Sequence, residues 1–130
     1  MSDLSAFRSH KDLDVWKMAM ALAERLYRET KAFPRDEIYG MTSQIRRAAV
    51  SIAANIAEGF GRNQTTQFLR ISQGSAQELD THLMLSERLR YLAPGISEDL
   101  QGECRRISQM IAGLMRSLEN KAKRDDPRRF

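Results

Sequence analysis

The fold is decided around residues 51–62, which read SIAANIAEGFGR. The apolar residues recur at helical spacing, and the glycines on either side of Phe60 are typical of the end of a helix. Two side chains go beyond what helix packing requires. Asn55 is polar beside an apolar row, and Glu58 is an acid in the last helical turn, where the helix dipole disfavours negative charge. The stretch therefore predicts the end of an amphipathic helix and marks a polar candidate site.

Upstream of this stretch, the helical spacing continues back to the acidic pair Asp36 and Glu37. Acidic side chains favour a helix N-terminus, and Pro34 ends the preceding helix because it disfavours helical backbone in the residue before it. We therefore expect this helix to begin at the acidic pair and to run to about Phe60. Its apolar face is predicted to carry Ile38, Met41, Ile45, Ala48, Ile52 and Ile56, widened by Ala49 and Ala53.

A helix over residues 12–31 is predicted to precede it, with two adjacent apolar rows. A stripe of two rows is broad enough to contact more than one neighbouring element. The first row is Val15, Ala19, Leu22 and Leu26, and the second is Trp16, Met20, Ala23 and Tyr27.

Two further helices follow the glycine-flanked loop. The third is predicted over residues 65–91, and the fourth is predicted to begin after Pro94-Gly95 with Ser97 as its N-cap. The buried face of the third is predicted as Phe68, Ile71, Leu79, Leu83 and Leu89, with the small residues Ser72, Gly74, Ser75 and Ala76 favouring close approach to the second helix. The fourth carries a heptad of Leu100, Cys104, Ile107, Ile111, Leu114 and Leu118.

These elements predict an all-α protein, an antiparallel up-down-up-down four-helix bundle with short loops. A chain of 130 residues is long enough for one core of this kind. We expect an N-terminal arm over residues 1–11, the bundle over residues 12–120, and a basic C-terminal tail over residues 121–130 that frays.

The composition favours a cytoplasmic protein with no membrane association. No apolar run approaches the roughly 18 residues that indicate a membrane span, and the N-terminus does not resemble a signal peptide. Cys104 is the single cysteine, so no internal disulfide is expected. The net charge is +4, and most of it lies in the last fifteen or so residues.

Patterns for catalysis and metal binding are missing from the sequence. A di-iron bundle needs Glu-x-x-His twice, whereas Glu78 and His82 are spaced one residue too far and have no second copy. Cys104 occupies a heptad core position, where a thiol behaves as a small apolar group. We therefore predict no metal, no cofactor and no catalytic residue. The alternative to this non-enzymatic interpretation is a small-ligand or enzymatic site near Asn55, Glu58 and Glu78.

Four polar residues are predicted to meet where the second and third helices face each other across the loop. They are Asn55, Glu58, Ser75 and Glu78, and we call this group the polar seam. Polar residues inside a bundle can fix helix register, so we interpret the seam as structural bracing, with a binding site as the alternative.

Basic residues form a second candidate group, for nucleic-acid binding. Arginine presents a planar fork that suits phosphate, and the body of the chain carries four arginines around the second and third helices. The candidates are Arg46, Arg47, Arg62 and Arg70, with Lys121, Lys123 and Arg124 of the tail as auxiliary contacts.

Several blocks in the same order resemble a family of four-helix bundle proteins named after the intervening sequences of 23S ribosomal RNA. The most recognisable block is QIRRAAVSI followed by NIAEG. The blocks are DLDVWK (residues 12–17), FP (33–34), EIYGM (37–41), QIRRAAVSI (44–52), NIAEG (55–59), GSAQEL (74–79) and LRYL (89–92).

This resemblance implies the same four-helix bundle and, because some members form five-fold rings, a homopentamer. A related accessory protein of diversity-generating retroelements is a basic ring that binds nucleic acid and partners with a reverse transcriptase. The resemblance therefore implies an oligomeric, non-enzymatic protein whose partner is RNA, DNA or a nucleic-acid-processing protein. The alternative is a structural or protein–protein interaction module with no nucleic-acid role, which the broad apolar stripe of the first helix favours.

Overall fold

Residues 9–61, 65–126 and 128 are described by the computed structural model, and within them the backbone forms four α-helices and no strand. The predicted all-α four-helix fold is therefore confirmed. The helices are α1 (Asp14–Glu29), α2 (Met41–Phe60), α3 (Thr65–Arg88) and α4 (Pro94–Arg124), and the same residues contain short 3₁₀ helices at His10–Asp12, Thr30–Ala32 and Arg35–Glu37.

Two hydrogen bonds between α2 and α3 show the relative direction of these helices. The hydroxyl of Thr65, at the start of α3, donates to the carbonyl of Gly59 near the end of α2 (2.8 Å). Further along α3, the buried hydroxyl of Ser72 donates to the carbonyl of Ile52, earlier in α2 (2.8 Å). Later residues of one helix thus meet earlier residues of the other, which is the pattern of antiparallel neighbours.

The same pattern holds between α3 and α4. The amide of Gln73 donates to the carbonyl of Ser108 (3.2 Å), whereas the hydroxyl of Ser97 donates to the carbonyl of Leu83 (3.4 Å). Arg25 closes the bundle by bonding from α1 to Asp99 and Glu103 near the start of α4. These contacts agree with the predicted up-down-up-down order.

The core combines the first apolar row of α1 with one face of each of the other helices. Val15, Ala19, Leu22 and Leu26 are all buried, as predicted, and so are the first four members of the α4 heptad. Leu114 and Leu118, the last two members, pack against the core while remaining partly exposed. The most deeply buried large side chains are Leu22, Leu26, Ile45, Ile52, Ile56, Leu69, Leu79, Leu83, Leu100, Ile107 and Ile111.

The predicted start of the second helix at Asp36 and Glu37 is wrong, because α2 begins at Met41. The acidic pair lies in the 3₁₀ helix Arg35–Glu37, and Oε1 of Glu37 accepts a hydrogen bond from the backbone N–H of Met41 (3.1 Å). Glu37 therefore caps the helix from outside. As a consequence Ile38 is exposed and does not belong to the buried face.

The predicted buried face of the third helix is also partly wrong. Ile71 and Leu89 are exposed, and the core positions are Leu69, Ser72, Ala76, Leu79, Leu83 and Ser86. Ser72 is accommodated in the core because its hydroxyl bonds to the carbonyl of Ile52, whereas the buried hydroxyl of Ser86 has no hydrogen-bond partner among the described residues. The helix ends before Tyr91, since Arg90 adopts a left-handed backbone (φ 65°) and the N–H of Tyr91 turns back to the carbonyl of Ser86 (2.8 Å).

The fourth helix begins earlier than predicted. Pro94 lies in its first turn, where a missing N–H costs nothing, and Ala93 is the N-cap. The prediction that Ser97 caps the helix is therefore wrong, and Ser97 is buried instead. At its other end α4 continues to Arg124, so the first residues of the predicted basic tail are helical.

Candidate interaction surface

The polar seam brings Asn55 and Ser75 together through Ser51. The hydroxyl oxygens of Ser51 and Ser75 lie 2.7 Å apart and share a hydrogen bond between α2 and α3. Nδ2 of Asn55 donates to the carbonyl of Ser51 (2.9 Å) and to its hydroxyl (3.0 Å). These groups satisfy one another, which favours the interpretation that they tie the two helices together.

The two acidic residues of the polar seam, Glu58 and Glu78, do not lie close together. On α3, Oε2 of Glu78 lies 3.1 Å from Nε2 of His82. In the register set by the bond between Ser51 and Ser75, Glu78 is level with the middle of α2, about ten residues before Glu58, or roughly 15 Å along the helix. The two carboxylates are therefore not placed as a pair for acid–base chemistry.

The guanidinium of Arg46 bonds to residues at the C-terminal end of α1. Its Nε donates to the hydroxyl of Thr30 (3.0 Å), its Nη2 donates to the carbonyl of Tyr27 (3.3 Å), and its guanidinium lies 4.7 Å from the centre of the Tyr27 ring. A cation at this position also opposes the negative end of the helix dipole. Arg46 thus has a structural role that competes with any phosphate contact.

The other predicted arginines do not join it in one patch. The exposed side chain of Arg47 forms no hydrogen bond or ion pair with the described residues, whereas Nη2 of Arg70 lies 4.0 Å from Oε1 of Glu119 on α4. Arg70 thus faces α4, on another side of the bundle from Arg46. Arg62 lies outside the described residues. The structure therefore divides the predicted arginine cluster.

The predicted basic residues of the tail lie in the last turn of α4. Lys121, Lys123 and Arg124 place positive charge at the end of the helix where the dipole favours it. Lys123 and Arg124 are exposed, and their side chains form no hydrogen bond or ion pair with the described residues. They form a small basic end to the bundle.

A mostly apolar opening lies between α1 and α2, and we call it the α1–α2 groove. Its volume is about 600 Å³, and it runs from His10 and Trp16 at one end to Tyr27 at the other. Its floor and walls are Trp16, Met20, Ala23, Val50, Ala53, Ala54 and Ala57, with Glu24 and Arg28 on the rim. The second apolar row of α1, predicted as part of a broad stripe, therefore lines an open surface.

A second opening, of about 710 Å³, continues from Tyr27 and Val50 toward the loop between α1 and α2. Arg47, Ser51, Ser75 and Glu78 line its polar side, and Ile38 and Tyr39 line its far end. Tyr39 is 93% exposed, far more than any other large apolar side chain of the described residues.

The turn that carries Tyr39 is held from two sides through Glu37. Besides capping Met41, Glu37 accepts through Oε2 a hydrogen bond from the hydroxyl of Tyr91 (2.7 Å), in the loop between α3 and α4. The Tyr91 ring in turn packs on the buried ring of Phe33, with 5.3 Å between centroids. A side chain on Gly40 would displace the Glu37 carboxylate from its present position. The two loops at this end of the bundle are therefore tied together.

The hydrogen bond from Tyr91 is the main reason that the pKa of Glu37 lies below its usual 4.5, and the same bond raises the pKa of Tyr91 above its usual 10.0. The lowered carboxyl pKa contributes stability above pH 4.5 that is lost as the pH falls through the folded value. The raised phenol pKa contributes stability below pH 10.0 that is lost as the pH rises through the folded value.

We therefore expect Tyr91→Phe to lower the melting temperature most at intermediate pH. The difference from the wild type should shrink in acid, as Glu37 is protonated, and in strong alkali, as Tyr91 ionises. Melting curves by circular dichroism from acid to alkaline pH would measure it. A difference that does not change with pH would contradict the assigned bond.

Groups for metal or thiol chemistry do not assemble in the described residues. Burial raises the pKa of Cys104 to about 12, so its thiol stays protonated. Across residues 9–61, 65–126 and 128, no group of three or more His, Cys, Asp or Glu side chains is placed to hold a metal ion. None of the helices in these residues is long and apolar enough to cross a membrane.

The fold and this surface define an all-α four-helix bundle in which Ser75 bonds to Ser51 between α3 and α2 and an apolar groove lies open between α1 and α2. The chain belongs to the family described as 23S rRNA-intervening sequence protein, whose sequence profile matches residues 11–113. This confirms the resemblance found in the sequence blocks.

A solved structure has a similar fold, with a TM-score of 0.70 and 22% sequence identity, over 78% of this chain and 97% of the other. It is the crystal structure of a protein of unknown function from the S23 ribosomal protein family of Bacteroides thetaiotaomicron. At this identity the likeness shows the fold alone. No curated protein matches the chain.

Sequence reasoning missed the outer face of α2 and the exposed Tyr39. Val50, Ala54 and Ala57 follow helical spacing and lie outside the bundle, yet alanine is equally common on a buried face. The second apolar row of α1 did indicate such a surface, because the two rows together form a stripe too broad to be covered by one neighbouring helix. For Tyr39 the signal was an aromatic residue in a turn after Pro34.

Proposed function

We propose that this protein is a non-enzymatic subunit of a homo-oligomeric ring, in which a neighbouring copy covers the α1–α2 groove. The observation that carries this proposal is the apolar surface left over after the helices have packed. Met20, Tyr27 and Val50 remain exposed on one face of the bundle, around a groove floored by alanines. Contiguous apolar surface of this kind marks interaction sites.

The chemistry of the groove suits a protein partner. Its walls offer few polar groups, and those are confined to the rim, as in interfaces with an apolar centre and a polar edge. The small side chains Ala54 and Ala57 allow close approach of another chain. Since stable interfaces bury roughly 800 Å² per partner, the groove supplies the centre of the contact and its flanks supply the rest.

The family resemblance favours a ring of five chains, and sedimentation velocity or light scattering would test it directly. A single chain has a mass of 14.9 kDa, so a pentamer has five times that mass. A wild-type protein that remains monomeric at all accessible concentrations would overturn the proposal.

Ala54→Glu tests whether the groove is the contact. Ala54 is exposed in the subunit, so the charge should leave the fold intact while placing an unpaired carboxylate inside the interface. We expect assembly to weaken by at least about a hundredfold, from a cost of roughly 3 kcal/mol.

Gln44→Glu is the matched control, because Gln44 is exposed on the same helix and lines neither opening. It adds the same charge and should leave assembly unchanged. Equal weakening by both variants would indicate a general charge effect and would exclude the groove as the contact.

Nucleic-acid binding is a second candidate, and it is supported by basic side chains that bond to no described residue. Arg47 beside the second opening, and Lys123 with Arg124 at the end of α4, are exposed. Each exists once per subunit, and a ring would multiply them by its number of chains. The net charge of +4 has the right sign for such a partner.

Binding of labelled RNA and DNA at several salt concentrations would test this candidate. We expect affinity to fall steeply with salt, and the double variant Lys123→Ala with Arg124→Ala to make the dependence shallower, by about one unit of slope per lost phosphate contact. Absence of binding at low salt would leave the protein-interaction function without a nucleic-acid role.

A further inference from the structure

Tyr39 combines nearly complete exposure with a fixed position. It follows Glu37, whose carboxylate holds both the start of α2 and the hydroxyl of Tyr91. The backbone N–H of Gly40, directly after Tyr39, donates to the carbonyl of Glu37 (3.0 Å). An aromatic side chain presented on a turn that is already ordered loses little conformational entropy on binding, and tyrosine is prominent among residues that dominate interfaces.

Tyr39 does not fill the α1–α2 groove of its own chain. It lies beyond the end of the groove marked by Tyr27, whereas Trp16 and Ala57 mark the other end. The eleven residues from Trp16 to Tyr27 span roughly 16 Å of helix. A tyrosine that enters the Trp16 end must therefore come from another molecule.

The charges beside the two features are complementary. Glu24 and Arg28 stand one helical turn apart on the rim of the groove, and Arg35 and Asp36 stand directly before the exposed turn. All four side chains are exposed, and none forms a salt bridge within the described part of the chain. A neighbouring turn can thus place arginine near the rim acid and aspartate near the rim arginine.

We propose that Ile38 and Tyr39 of one copy dock into the α1–α2 groove of the next copy, near Trp16 and Met20. This inference rests on the proposed self-assembly and names the segment that occupies the groove. The turn and the groove are different surfaces of the same chain, so the contact is heterologous. Each subunit then offers a turn to one neighbour and a groove to the other, and such a contact forms a ring when the rotation between neighbours closes, and an open filament when it does not.

Tyr39→Ala is the first test, because the side chain is exposed and its removal should leave the subunit folded. We expect assembly, measured by sedimentation against concentration, to weaken by at least about tenfold. Met84→Ala is the matched control: Met84 is an exposed apolar residue of α3 that lines neither opening, and its truncation should leave assembly unchanged.

Photochemical crosslinking identifies the contact itself. In Tyr39→p-benzoylphenylalanine the aromatic side chain is kept, and its benzophenone inserts into nearby C–H bonds on irradiation. Chains labelled with nitrogen-15 and unlabelled chains are mixed, and mass spectrometry then separates crosslinks between chains from crosslinks within one chain. We expect crosslinks between chains, on the peptides that contain Trp16 or Met20.

The outcomes separate the two proposals. A monomeric wild type would overturn the self-assembly and this inference with it. A stable oligomer that tolerates Tyr39→Ala, or whose crosslinks fall on another surface or join position 39 to position 39, would overturn this inference and leave self-assembly standing. Loss of assembly together with groove crosslinks supports the heterologous contact.

Discussion

Replacing Leu69 by alanine is expected to lower the free energy of unfolding by about 2–5 kcal/mol, because a fully buried leucine leaves a cavity that the core refills only in part. Leu69 is 1% exposed in the structure. Urea unfolding followed by circular dichroism would measure the change. The substitution is informative because the sequence pattern had placed Ile71, and not Leu69, on the buried face of α3.

Ile71→Ala is the matched comparison on the same helix. Ile71 is 46% exposed, so its truncation should change the free energy of unfolding by less than about 1 kcal/mol. If Ile71→Ala were the more damaging of the two, the buried face of α3 would be the one predicted from the sequence, and the burial of Leu69 seen in the structure would be wrong.

Gly59→Ala is expected to destabilise the protein by about 1–3 kcal/mol, since an added methyl group overpacks the contact between α2 and α3. A Cβ at this position would lie 3.0 Å from Cβ of Phe68 and 3.2 Å from the carbonyl oxygen of Thr65. Neither atom is at the end of a flexible side chain, so the start of α3 would have to shift. This loss should exceed the gain in helix propensity, which is at most about 1 kcal/mol.

Gly74→Ala is expected to stabilise the protein, in contrast to Gly59→Ala. Apart from the adjoining backbone of α3, no atom lies within 4 Å of a Cβ built at Gly74, so the same substitution gains helix propensity without a clash and should stabilise by about 1 kcal/mol. Thermal and urea unfolding of both variants would measure the contrast. Equal changes at the two positions would mean that α2 and α3 do not approach closely at Gly59.

The number and type of the helices could be predicted because helical spacing of apolar residues is a local property. The ends of the helices were harder to predict, because each end depends on a contact that the spacing of apolar residues does not reveal. Glu37 caps Met41 from outside the helix, Pro94 starts α4 before the expected serine cap, and Arg90 turns the chain after α3.

The candidate site could be predicted only in part from the sequence. Asn55 and Ser75 were grouped from the sequence, and in the structure each of them bonds to Ser51, which the grouping left out. The predicted arginine cluster joined residues that are close in the sequence. In the structure Arg46 contacts the end of α1, whereas Arg70 lies next to α4. Residues close in sequence can face different neighbours, because each helix contacts more than one other helix.

The sequence by itself determined the family, the four-helix fold and the first apolar row of α1, because spacing and motif order are carried by the chain directly. Only the tertiary structure decided which apolar residues remain outside. Val50, Ala54 and Tyr39 are apolar in the sequence like the core residues, and their exposure depends on how α1 and α2 rotate against each other and where the loop between them turns. Within residues 51–60 the inner face of α2 packs the core, and its outer face forms part of the open groove.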